Sequence, residues 1–480
     1  MAKRRIGSRS GGGTPPVRTA VRNAKIATLP IAFAGRQAAG VAQRARGRST
    51  ADINLDIQMR TAQHIFEVLG ELKGCAAKLG QLLALYELAL PPELAEPYRR
   101  ALSQLQDSAP AMMPAAVHGV LASELGRGWR WNFQEFDDRR AAGASIGQVH
   151  RAVWRDGRSV AVKVMYPGAH QSVRGDLEQL RRLSVLATVF VPGADVPAVT
   201  EAICTSVVEE LDYAAEAEHQ RIFAETYADD PDFVVPRVIT QRGDVIVSEW
   251  LHGTPVTRVI ESGAPEERDR VGMLILRFLL SSWVRTGLLY CDPHPGNFRV
   301  LPDGRLGVVD FGACVSWPHA GFEDLVSEVM DAVFNGELGD LDAALRRHGF
   351  VEPQRAYDVR AIAEGVATVT EPLAHSEFRF STAWMRERVR YVLDPRLTNA
   401  HRQMTIPAYV TPFARALLTA LGVLCQLETG GPVRGEFARW SPEMAAVFER
   451  FDSRRGEPAD LGLARQLRTT APGRRFSVVS

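Results

Sequence analysis

Tyr290-Cys-Asp-Pro-His-Pro-Gly-Asn297, followed by Arg305-Leu-Gly-Val-Val-Asp-Phe-Gly312, sets an aspartate, an asparagine five residues on and a second aspartate eighteen residues after the first. Phosphoryl transfer calls for these residue types: Asp292 to receive or orient a hydroxyl proton, and Asn297 and Asp310 to reach a metal with hard oxygen donors. Between them, Phe298–Leu301 and Arg305–Val309 are short apolar runs joined by Pro302-Asp303-Gly304, the composition of a strand, a turn and a strand. Alone, an Asp before Pro is usually a turn residue, and an Asp before Phe-Gly a strand-end Asx turn. The joint spacing therefore carries the functional reading.

D-x4-N…D-F-G is the arrangement of a protein-kinase active site, and it makes a further demand: an upstream strand must carry a lysine for the nucleotide phosphates. Ser159-Val-Ala-Val-Lys-Val164 supplies Lys163 in a β-branched run. Asp156-Gly157 reads as a hairpin turn and Gln148–Trp154 as the strand before it, which puts Lys163 in the third strand. Val245–Glu249 reads as the strand entering a hinge, where Glu249, Trp250 and Leu251 offer backbone groups to adenine. The expected fold is α+β, a bilobal protein-kinase-like domain.

The phosphate-covering loop is alanine-rich, Ala141-Ala-Gly-Ala-Ser-Ile-Gly-Gln-Val-His150, where a protein kinase has G-x-G-x-x-G. With Val162-Lys-Val-Met-Tyr-Pro-Gly168, the D-P-H-P-G-N run, Lys78-Leu-Gly-Gln81 and Glu210-Leu-Asp212, it resembles the AarF/UbiB/ADCK family of atypical kinases from about Ile53 to about Leu427. The resemblance implies a helical N-terminal extension carrying the K-x-G-Q motif. It also implies that Ala142, Gly143, Ala144, Ser145, Ile146, Lys163, Glu249 and Leu251 bind ATP, with ADP as an alternative. Glu216 is implied as the ion-pair partner of Lys163, Asp292 as the catalytic aspartate, and Asn297 and Asp310 as ligands of Mg²⁺. Lys78 and Gln81 are implied to face Glu210 and Asp212, with Lys78 a charged plug over the cleft. The family link is to isoprenoid-quinone biosynthesis and lipid homeostasis.

Spacing bears on part of this. Asp212 and Glu216 are four apart and share a helix face, whereas Glu210 and Asp212 do not. Either a helix begins near Glu210, or the pair brackets an incoming charge such as Lys78. Two positions depart from the family pattern: Gly143 replaces an alanine, which frees φ and permits closer backbone approach to phosphates, and Cys291 stands before the catalytic aspartate. Cys291 also occupies the position of the H-R-D arginine, so a phosphorylated activation segment has no arginine there to dock on. The A-P-E sequence after D-F-G is missing; Ala264-Pro265-Glu266 precedes the catalytic loop and reads as a helix start. These absences argue for a small or lipidic substrate, or for plain ATP hydrolysis.

The chain has 480 residues, 46% hydrophobic content and a formal net charge of +1. Its first fifty residues hold eleven Lys/Arg and no acid, leaving 46 basic against 56 acidic side chains in the rest. Residues 1–50 read as a basic flexible segment, either a solubilising tail or, through the apolar Leu29–Ala42, an interfacial helix on anionic lipid. No interleaved aromatics support nucleic acid. No run of eighteen apolar residues exists, so nothing is expected to span a bilayer, and Ala408–Leu427 reads as an amphipathic helix interrupted by Arg415, Thr419 and Gln426. Five scattered cysteines without C-x-x-C imply a reducing compartment and no zinc. The expected location is cytoplasmic, with peripheral membrane association as an alternative.

The expected organisation is a helical extension over 51–130, with helices at Ile57–Tyr86 and Glu93–Leu105, a small lobe over 131–253, a helical large lobe over 254–452 and a basic flexible tail over 453–480. The expected function is an atypical kinase or ATPase, with an isoprenoid or quinone precursor, or an anionic membrane surface, as the partner besides nucleotide. A nucleotide-gated pseudokinase scaffold is one alternative. Another is a small-molecule phosphotransferase like those acting on aminoglycosides and choline, against which the K-x-G-Q and alanine-rich motifs speak.

Overall fold

The computed structural model describes residues 111–144, 146–187, 196–318, 320–392 and 404–454. Lys78, Gln81, Ser145, the basic segment 1–50, the two helices expected before residue 106 and the tail from 455 lie outside the described residues.

Valine at alternate positions builds the small lobe. Strands β1 (Phe133–Ala144), β2 (Gly147–Trp154), β3 (Ser159–Met165), β5 (Val238–Arg242) and β6 (Val245–Glu249) form an antiparallel sheet in the order β1-β2-β3-β6-β5. Strand β4 (Phe233–Val234) joins the other lobe, where it pairs in parallel with the strand Leu306–Val308. Val160, Val162 and Val164 of β3 and Val245 and Val247 of β6 pack under Val117 and Leu121 of helix α1 (Pro114–Glu124). Each such side chain contributes roughly 1.5–3 kcal/mol by leaving water. Period-2 alternation then turns Ala161 and Lys163 to the opposite face. Although α1 falls in the stretch read as extension, its apolar residues close the core of this lobe.

On the cleft side lie α2 (Ala169–Ala187), α3 (Val196–Glu209) and α4 (Tyr213–Thr226). Met165, Val173, Val207, Tyr213, Ala217 and Ile246 bury one another there. Asp212 starts α4 as its N-cap, its Oδ1 accepting from Ala215 N at 2.9 Å. The helix thus begins just past Glu210 and Asp212, whereas Lys78, the charge the pair could bracket, lies outside the described residues.

The large lobe opens with the short strand β7 (Thr254–Pro255) and helices α5 (Val256–Ser262) and α6 (Pro265–Thr286). Pro265 at N1, Glu266 and Glu267 in the first turn and Arg285 in the last suit the peptide dipole of α6, and Gly287 at φ 71° ends it in the left-handed conformation. The Ala-Pro-Glu sequence is thus a helix start. Four short strands follow: β8 (Leu288–Tyr290) pairs with β11 (Cys314–Ser316), and β9 (Phe298–Val300) with β10 (Leu306–Val308). Helices α7 (Phe322–Phe334), α8 (Leu338–Arg347), α9 (Val359–Val369), α10 (Thr382–Val392), α11 (Thr411–Gln426), α12 (Val433–Trp440) and α13 (Pro442–Ser453) complete the lobe. Ala416, Ala420 and Leu424 of α11 are fully buried, so the amphipathic stretch packs inside this lobe. Among the described residues no helix is long and apolar enough to cross a membrane.

Candidate active site between the lobes

A cleft of about 370 Å³ separates the lobes. Its upper wall is β1–β3 and α4, its back the segment Ser248–Leu251, and its floor the strands and loops carrying Asp292, Asn297 and Asp310. Of the residues read from the sequence, Ala142, Gly143, Ala144, Ile146, Lys163, Glu210, Glu216, Glu249, Leu251, Asp292, Asn297 and Asp310 all line it. Asp212 does not; it is exposed and engaged as the cap of α4.

Lys163 ties the two lobes together. Its Nζ donates to Glu216 Oε1 at 2.6 Å and to Asp310 Oδ2 at 3.2 Å. The strand puts Lys163 on the cleft face, while the cap at Asp212 puts Glu216 on the first turn of α4. Burial opposes the charge on Lys163, but Asp310 and Glu216 outweigh it and hold the ammonium well above the ordinary lysine value. Burial pushes Glu216 up to about 7 despite the pull of Lys163. The second oxygen of Glu216 is shut off from solvent and has no hydrogen-bond partner among the described residues, and a Cβ on Gly312 would meet it at 3.5 Å, an ordinary van der Waals distance.

Backbone hydrogen bonds build the floor. Asn297 Nδ2 donates to the Asp292 carbonyl at 3.0 Å, and Val309 N donates to the Asn297 carbonyl at 3.0 Å, so the two stretches carrying the candidate metal ligands are laced together. His294 supports the turn, its Nδ1 accepting from Gly296 N at 3.2 Å. Asp310 Oδ1 accepts from Gly312 N at 3.0 Å. Above it, His219 Nδ1 of α4 lies 3.3 Å from the Phe311 carbonyl. The amide oxygen of Asn297 and the half-buried Asp310 carboxylate are hard donors that fit Mg²⁺, an ion that takes few protein ligands and keeps others for water and phosphate. Among the described residues there is no group of three or more His, Cys, Asp or Glu that could hold a metal.

The alanine-rich segment is the end of a β-hairpin, not a free loop. Gly143 pairs with Gln148 and Ala144 with Gly147. A Cβ on Gly143 would meet nothing within 4 Å, so closer backbone approach there is not imposed by crowding. Gly147 is different: its Cβ would fall 2.4 Å from the Val164 carbonyl and 2.9 Å from the Tyr213 hydroxyl. Glu249 turns its side chain away from the cleft centre, Oε2 accepting from Arg237 N at 3.0 Å.

Arg415 escaped the sequence reading. It was legible only as a charge interrupting an amphipathic helix, yet α11 carries it to within 3.9 Å of Glu209 and beside the Cys291 thiol. A guanidinium therefore stands behind the catalytic loop although Cys291 occupies the usual arginine position. Burial pushes Cys291 up to about 11, with Arg415 acting in the opposite sense. Nothing in the local sequence around residue 415 signals this.

Comparison with known proteins adds a family. The model of the ABC1 atypical kinase-like domain matches residues 104–341. The zebrafish protein named atypical kinase COQ8B, mitochondrial, is 28% identical over 341 residues, covering 69% of this chain and 53% of its own length. Its nematode counterpart from Caenorhabditis elegans, atypical kinase coq-8, is 30% identical over 353 residues, 70% of this chain and 46% of that one. The chain thus spans about half the length of these curated relatives. A solved structure of Rv3197 with erythromycin, from Mycobacterium tuberculosis, is 36% identical with a TM-score of 0.61, covering 83% of this chain and all of the other.

Proposed function

The chain belongs to the AarF/UbiB/ADCK family of ABC1 atypical kinase-like proteins, and from that premise we propose that it binds Mg-ATP between its lobes and transfers or hydrolyses the terminal phosphoryl group. The observation that carries the reading is Lys163 held at once by Glu216 at 2.6 Å and Asp310 at 3.2 Å. That arrangement places an ammonium where the phosphates would lie, and Glu216 keeps the lysine aimed. Asp292 then takes the proton of an attacking hydroxyl or water as its oxygen bonds to phosphorus and the bond to the ADP oxygen breaks. Asn297 and Asp310 would hold Mg²⁺, which when bound neutralises phosphate charge. The backbone of Glu249–Leu251 receives adenine, and the hairpin end at Ala142–Ile146 covers the phosphates.

For the acceptor we propose a small or lipidic molecule linked to isoprenoid-quinone or lipid metabolism, with residues 1–50 meeting anionic membrane and Lys78 and Gln81 restricting access to the cleft. The test is phosphate release by the purified full chain with Mg-ATP, with and without anionic liposomes and isoprenoid head-group analogues. Turnover that vanishes in Asp292→Asn supports the enzyme. Stabilisation by Mg-ATP without turnover under any lipid condition, and an Asp292→Asn variant indistinguishable from wild type, would give the site to a nucleotide-gated scaffold. The solved relative is a complex with erythromycin, so a macrolide is a second ligand to titrate by thermal shift.

A further inference from the structure

We propose that Arg299 is a nucleotide-binding residue of the cleft floor whose guanidinium takes a phosphate of the bound nucleotide; this deepens the nucleotide reading above and rests on it. Strand β9 sets its direction. Phe298 and Val300 are buried in the core, and the two-residue period turns Arg299, between them, to the cleft, which it lines together with Asn297. Its place is fixed by pairing with Gly307 of β10 and Pro255 of β7. The chain leaving Glu249–Leu251 crosses close to its root, where a Cβ on Gly253 would fall 3.2 Å from the Arg299 Cβ. Arg299 therefore stands between the segment proposed to receive adenine and the Asn297–Asp310 pair proposed to hold the metal. That is the interval in which the phosphate chain of a nucleotide begins.

The charge of Arg299 is unanswered. Lys163 is matched by Glu216 and Asp310. Arg299 is half-buried, its side chain makes no hydrogen bond or ion pair among the described residues, and burial acts on its guanidinium with no carboxylate to counter it. A cation partly withdrawn from water without a counter-charge costs folding free energy. A ligand that brings the opposite charge offsets that cost on binding. The planar guanidinium presents several N–H donors in one fork, a match for the oxygens of a phosphate. Because two carboxylates already face Lys163, Arg299 supplies positive charge that a polyanion can use.

The experiment titrates ADP with Mg²⁺, and adenosine, into the full chain by calorimetry, and records the melting temperature without ligand. Arg299→Gln should weaken ADP at least about fivefold, a difference of about 1 kcal/mol, while adenosine loses less than ADP does. Arg299→Lys, which keeps the charge and loses the fork, should fall between. Without ligand, Arg299→Gln should melt no lower than wild type, since it removes a charge that has no partner. Where adenosine binds wild type too weakly to measure, salt decides: ADP affinity should fall less steeply with salt in Arg299→Gln than in wild type, and equal slopes overturn the proposal. An ADP loss below fivefold overturns it. So does an equal loss for adenosine, which would place the guanidinium against the base. A clearly lower melting temperature, or failure of Arg299→Gln to fold, assigns Arg299 to the fold and overturns it as well. Each of these leaves the nucleotide reading standing, whereas failure of wild type to bind ADP overturns both.

Discussion

The two walls of the cleft hold their charged groups by different means. Above, Lys163 and Glu216 are an ion pair in a nearly dry setting, the glutamate 3% and the lysine 17% exposed, each aimed by the other's charge. Below, Asp292, Asn297 and Asp310 are half-buried on turns whose backbone groups bond to one another, and of the three Asp310 is also reached by Lys163 at 3.2 Å. Charges kept in place by charges are sensitive to pH and to loss of a partner. Groups held by backbone should tolerate neutralisation structurally and lose only chemistry.

The sharpest break of that contrast is on the floor. Asp292→Asn should slow phosphate release by about 10²–10⁴, the usual range for losing a general base, with nucleotide affinity kept within a few-fold and the melting temperature little changed. Asp310→Asn should instead weaken Mg-dependent nucleotide binding together with turnover, because it removes the negative charge proposed to face the metal. Thermal shift with Mg-ATP reads the affinity and phosphate release reads the rate. A large melting loss for Asp292→Asn would undo the claim that backbone, not charge, holds the floor.

On the upper wall, Lys163→Met should cost stability as well as activity. It leaves Glu216 buried without its nearest counter-charge, at a cost on the order of 1–3 kcal/mol by chemical denaturation at pH 8. The cost should shrink at pH 6, where the carboxyl can take up a proton. Equal losses at the two values would count against a charge-held wall.

Glu216 itself sharpens the point through linkage. Its folded value of about 7 lies above the ordinary carboxylate value, so the fold favours the neutral acid. Stability attributable to this group is full below about pH 4.3 and is lost as pH rises toward 7. Glu216→Gln should remove that downward slope between pH 5 and 8 in denaturation curves. Since only the ionised glutamate pairs with Lys163, wild-type turnover should rise through an apparent pKa near 7, the value given by the burial of Glu216.

The smallest effect is expected at the hairpin end. Gly143→Ala places a methyl in open space and should change nucleotide affinity less than about twofold and stability by no more than about 0.5 kcal/mol. Four residues on, Gly147→Ala drives a Cβ against the Val164 carbonyl and should cost about 1–3 kcal/mol in chemical denaturation. Similar losses at both positions would contradict the hairpin packing.

Much of this site is legible in the chain. The sequence places β6 at its observed bounds, Lys163 in the third strand and the β9–β10 turn at Pro302–Gly304, and of the described residues it proposes for the site all but Asp212 line the cleft. Less legible were the hairpin character of the alanine-rich segment and the role of Asp212 as a cap. Both depend on where chain direction changes, and the glycines and alanines around 141–147 are compatible with loop or strand until a partner strand is present.

What the sequence by itself determined is the chemistry and its local frame. A two-residue period decides which face of β3 bears Lys163, and fixed spacings in one loop and turn decide that Asp292, Asn297 and Asp310 share a rim; these are short-range consequences of backbone geometry. Only the tertiary structure decided which distant groups meet them. Glu216 lies 53 residues and Asp310 147 residues from the lysine they share, while Arg415 reaches Glu209 and Cys291 from a helix near the far end of the described chain. No local pattern specifies such meetings, because they follow from how the apolar faces of α4, α6 and α11 bury one another, and each polar residue is carried to its partner by the side of the helix that is left over.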